Sequence, residues 1–84
     1  MGPIASAAHG HLHRALQYAE QRDAVAAASA CFRLKAELHL MDSPLAVELH
    51  HLVKAWAWRT DHTTAQQALE ELAPQVLEEL WAHG

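Results

Sequence analysis

Apolar residues recur along this chain at three- and four-residue spacing almost from end to end, and the pattern predicts an all-α fold. The clearest stretch is 31–58, CFRLKAELHLMDSPLAVELHHLVKAWAW. It reads as two apolar helices back to back with Asp42-Ser43-Pro44 between them. Serine is a good helix N-cap, and proline suits the first helical position because an N–H there has no intrahelical partner. A tight helical hairpin follows, with one helix ending near Met41 and the next starting at Pro44. Before it, Leu12, Ala15, Leu16 and Ala19 place a helix over 9–21, and Arg22-Asp23 breaks it, with Asp23 capping the next. Residues 1–8 are small, contain Gly2 and Pro3, and are expected to be a flexible N-terminus ahead of a single helical domain at 9–84.

In the helix over 24–41, Ala27, Ala30, Cys31, Leu34, Leu38 and Met41 form one broad face. Val25, Phe32 and Ala36 lie apart from it, separated by polar stripes. A helix with two apolar strips touches two surfaces, so the second strip is expected to meet another helix or a second subunit. The helix over 44–59 buries Leu45, Leu49, Leu52, Val53 and Trp56, while Trp58 points about 160° away at 100° per residue. Trp58 then serves either as an interface anchor or as a cover over the open end of the core. Thr60–Thr64 reads as a polar link, and Thr63 with Gln66 fits a capping box for a last helix over 64–82. Its stripe (Ala65, Ala68, Leu69, Leu72, Ala73, Val76, Leu77, Leu80, Trp81) stays in phase across Pro74. That favours one helix bent at Pro74, with the proline on the outward side, over a break at Ala73. Short connections make the four helices a small antiparallel bundle.

Composition narrows the function classes. Eighty-four residues allow one modest core, and chains this small often add an oligomer interface or a metal. Cys31 is the only cysteine, which excludes an intrachain disulfide and suits a cytoplasmic setting. Arg33, Lys35 and Glu37 interrupt the most apolar region, so no membrane span is expected, and no basic segment followed by an apolar run marks a signal peptide. Net charge is −4. Acids and bases balance up to Asp61, whereas 62–84 carries Glu70, Glu71, Glu78 and Glu79 and no Lys or Arg. Phosphate backbones need a basic stripe, so no nucleic-acid partner is expected. Glycine occurs only at 2, 10 and 84, leaving no interior loop to cradle a nucleotide, and no nucleophile elbow or CxxC is present. No catalytic residues and no cofactor are assigned. Cys31, among Ala27, Phe32 and Leu34, reads as a buried thiol of raised pKa.

Eight histidines remain: His9, His11, His13, His39, His50, His51, His62 and His83. His9 and His13 share a helix face at bidentate spacing for a transition metal such as Zn, Ni or Fe. Glu48-x-x-His51 echoes half of a ferritin-like di-iron site, which dimerisation could complete. Folding the hairpin about Ser43 sets Glu37 level with His50, near enough to offer a third ligand. His39 and His50 are expected to be partly buried, and His62 to lie in a loop or first turn. Protonating all eight would move formal charge from −4 to +4, so self-association is expected to change across roughly pH 7.5–5.5, around the histidine reference value. Taken together, these residues point to a non-enzymatic helical module. It is expected to dock a protein partner or a second copy through Val25, Phe32, Ala36 and Trp58. The alternative is a metal-binding bundle using Glu48 and His51, or His9 and His13.

Overall fold

The computed structural model describes residues 1–58 and 61–83. Among them are four α-helices and no strand: α1 (Pro3–Glu20), α2 (Ala24–Leu40), α3 (Leu45–Ala57) and α4 (His62–Ala82). The radius of gyration is 11.6 Å, against about 12 Å for a folded chain of this length. No helix among the described residues is long and apolar enough to cross a membrane.

α1 begins earlier than the small, glycine-containing start suggests. Pro3 occupies the first turn after Gly2, and Ala5 and Ala8 are buried, so residues 3–8 are part of the helix rather than a frayed lead-in. Its buried stripe of Ala5, Ala8, Leu12, Ala15 and Ala19 is mostly alanine, which lets α2 approach with Ala27, Ala30 and Cys31. Arg22 closes α1 in the left-handed region at φ 58°, with its N–H on the Ala19 carbonyl at 3.1 Å. The Asp23 carboxylate then accepts from the Ala26 N–H at 3.1 Å, capping α2 as its position predicts.

The hairpin between α2 and α3 turns through Asp42 at φ 54°, and the buried Ser43 hydroxyl accepts from the Leu45 N–H at 3.2 Å. Every residue of the broad α2 face is buried, as its periodicity requires, and α3 adds Ala46, Leu49, Leu52 and Trp56. α3 ends at Ala57, with the Trp58 N–H on the Lys54 carbonyl at 2.9 Å, and residue 59, the expected end of the helix, lies outside the described residues. α4 starts at His62, capped by Asp61 rather than by a Thr63–Gln66 box. The Asp61 carboxylate accepts from the Thr64 N–H at 3.2 Å and the Thr64 hydroxyl at 2.8 Å. α4 continues through Pro74, which faces outward, so the alternative of a break at Ala73 does not hold.

The helices form a ring in which α1 packs on α2 and α4, and α2 packs on α1 and α3. The ring closes least tightly between α3 and α4. That loose seam leaves a groove.

Candidate docking groove

The groove between α3 and α4 has a volume of about 370 Å³, at the small end of ligand-sized clefts. Its floor is Leu52, Ala55, Ala65, Ala68 and Leu72. Three of these five residues are alanines, whose side chains carry nothing longer than a methyl group. Glu48 and His51 stand on the α3 wall, and Glu71 and Gln75 on the α4 wall. Helical spacing continues the α3 wall from His51 through Ala55 to Trp58, which is 79% exposed.

The residues singled out from sequence fall in three places. Glu48 and His51 share the groove, as a helical three-residue spacing allows. Glu37 does not join them. It lies on the α1 side of α2, within electrostatic reach of His11, and His50 meets Lys35 instead, whose Nζ donates to His50 Nδ1 at 3.5 Å. Val25, Phe32 and Ala36 form an exposed strip on the outside of α2, with Leu40 at its end. Phe32 is 55% exposed, and the Lys35 ammonium sits 4.9 Å from its ring centroid. His9 and His13 meet edge to face at 4.5 Å between ring centroids, one helical turn apart. No group of three or more His, Cys, Asp or Glu among the described residues is arranged to hold a metal ion.

Some assignments need correction. Trp81, placed in the core by the α4 stripe, is 65% exposed, and Ala68 is exposed on the groove floor. Leu80 beside it is fully buried and the start of α1 reaches His83, so Trp81 is exposed because it lies at the edge of the stripe, one residue round the helix from the core. His39 and His50 are exposed rather than partly buried, because both lie on the outer side of the α2–α3 pair. Cys31 is buried as expected, and burial pushes its thiol up to about 12. His11 is held below the ordinary histidine value of 6.5 by partial burial, and then by Arg14, whose Nη2 donates to His11 Nδ1 at 2.8 Å. His50 is also lowered, by loss of some hydration and then by the positive charges of Lys35 and Lys54.

The histidine with the most structural work is His62, which the sequence places in a loop or first turn and which lies in the first turn of α4. His62, first residue of α4, joins three helices. The Trp56 indole Nε1–H donates to His62 Nδ1 at 3.2 Å, and His62 Nε2–H donates to the Ala19 carbonyl at 2.8 Å. Because a carbonyl only accepts and an indole N–H only donates, the ring must be neutral with its proton on Nε2. His62 is therefore a structural pin between the ends of α1 and α3 and the start of α4. Its only sequence signal is a histidine one residue after a strong cap.

No protein-family model, curated protein or solved structure matches this chain.

Proposed function

We propose that this protein is a small helical docking module without chemistry of its own. In this reading the α3–α4 groove accepts an amphipathic helix from another polypeptide. The supporting observation is the seam itself: an alanine-floored apolar groove between walls that carry Glu48 and Glu71. Helix-in-groove recognition uses anchors at i, i+3 or i+4 and i+7, and a floor of small side chains leaves them room. The wall from Glu48 to Trp58 is about 15 Å long at the α-helical rise, so it would contact nearly three turns of a guest helix. Acidic rims select a guest with Lys or Arg beside its apolar anchors.

Selection of a displayed library of amphipathic helical peptides on the immobilised protein tests this. Binders should carry basic residues flanking the anchors, and Ala68→Arg, which fills the floor and adds a cation, should lose them at unchanged helicity. Binders that ignore Ala68→Arg, or a library that yields none, would refute the reading.

A metal-binding role keeps one observation in its favour, the edge contact of His9 and His13. That pair supplies two nitrogen donors. Further ligands would have to come from outside this chain or from water.

A further inference from the structure

The molecule's charges are sorted by face, and the sorting names an occupant for the groove. Of the six Lys and Arg residues, Arg33 and Lys35 flank the outer strip on α2 itself, and Arg14 and Lys54 stand on the two helices packed beside it. Arg14 and Arg33 line a depression on its α1 side. Lys35 and Lys54 surround His50 on its α3 side. Glu37, the one acid on α2, lies among the cations of the α1 side, near His11. α4 is the reverse, with four glutamates and no Lys or Arg. The strip offers Phe32, Ala36 and Leu40 at four-residue steps along one helix, the last 68% exposed. One side of a helix thus presents apolar anchors with a cation on either flank. The groove presents an apolar floor with a carboxylate on either wall.

Building on the docking function above, we propose that the α3–α4 groove receives the outer strip of α2 from a second copy of this chain. Phe32 and Ala36 enter over Ala55 and Ala68, while Arg33 and Lys35 approach Glu71 and Glu48. Like-with-like alternatives are disfavoured by charge. Groove against groove sets Glu48 and Glu71 against their own copies, and strip against strip does the same to the cations. α2 stands diagonally across the ring from α4, so strip and groove face different directions and cannot both be satisfied across a single two-fold axis. The contact is therefore head to tail, and each added copy leaves a free strip at one end and a free groove at the other. One helix strip seated in one groove makes a small contact, so association should be weaker than about 1 μM and reversible.

Sedimentation velocity from about 10 μM to about 1 mM tests this around that limit. The average mass of the wild type should climb without a plateau at dimer, and should fall when salt rises from about 50 to about 500 mM, which shortens the Debye length several-fold. Phe32→Glu spoils the strip and Ala68→Arg the groove, so each alone should be monomeric. Mixed, they retain one good strip and one good groove and should form a 1:1 pair that grows no further. Lys35→Glu and Glu71→Lys repeat the experiment should either first variant fail to fold. A wild type that stays monomeric, a single variant that still assembles, or a mixture that does not pair would each overturn the proposal. Peptide capture by the groove in a protein that stays monomeric would overturn this inference alone and leave the docking function standing.

Discussion

Replacing His62 by phenylalanine keeps a ring at the junction of α1, α3 and α4 and removes both of its nitrogens. The two bonds lost are not equivalent. The Ala19 carbonyl retains the Arg22 N–H at 3.1 Å, so it is not orphaned. Among the described residues the Trp56 indole N–H has no second acceptor, and Trp56 is only 5% exposed. A buried donor left unpaired costs about 1–3 kcal/mol, and an ordinary net hydrogen bond about 1 kcal/mol. His62→Phe should therefore destabilise by about 2–3 kcal/mol, a large share of the roughly 5–15 kcal/mol typical of a whole domain. For a chain of this size each kcal/mol corresponds to about 4–8 °C in Tm. Urea and thermal unfolding followed by far-UV circular dichroism, near pH 7.5, would read both quantities. The cause is isolated by repeating the substitution in a Trp56→Phe background, where no indole donor remains. There the cost should shrink by about 1 kcal/mol or more. A single-variant loss under about 0.5 kcal/mol, or the same loss in both backgrounds, would refute the assignment of His62 as a pin.

Other outcomes are equally specific. A Cβ at Gly10 would meet only the flexible end of Arg14, at 3.4 Å, so Gly10→Ala should stabilise by about 0.5–1 kcal/mol in urea midpoints, and destabilisation would contradict the helical start at Pro3. Cys31 should resist a thiol reagent at pH 8 in the native protein and react at full rate in urea, and rapid native labelling would contradict its burial. In pH-dependent unfolding, His11 and His50 bind protons more weakly when folded, so their contribution is present above 6.5 and declines as pH falls through their lowered values. The Cys31 thiol is raised instead, so its contribution is present below the reference value of 9.0 and lost as pH climbs toward 12. Urea midpoints that rise on acidification below 6.5, or on alkalinisation above 9.0, would contradict these signs.

What could be read from sequence was decided by local periodicity, and what could not was decided by partners distant in the chain. The α2 face was legible because Ala27 to Met41 repeats cleanly against one core. The hairpin was legible because Ser43 and Pro44 act within a turn of themselves. Ala5 and Ala8 were missed because an alanine is buried only when a neighbouring helix comes close, which periodicity does not report. Trp81 sits at the edge of the α4 stripe, one residue round from the buried Leu80, where the spacing alone does not separate core from rim. The Thr63–Gln66 spacing pointed to a cap two residues too late, because Asp61 takes both the Thr64 N–H and hydroxyl. His62 was illegible for a plainer reason: its carbonyl partner, Ala19, belongs to the first helix. The candidate site divides in the same way. Glu48 and His51 were visible as a spaced pair and Phe32 as an off-core aromatic. The groove that gives the pair a setting arises from how far α3 stands from α4, a tertiary distance.

The central claim is that two opposite-charged faces of this chain, the α2 strip and the α3–α4 groove, are its docking surfaces. A series of ¹H–¹⁵N correlation spectra of the wild type at rising concentration tests it most directly. The account predicts progressive shifts confined to two sets of amides, those around Phe32, Lys35 and Ala36, and those around Ala55, Ala68 and Leu72, both reversed by salt. Spectra that do not change, or shifts centred on any other surface, would contradict it.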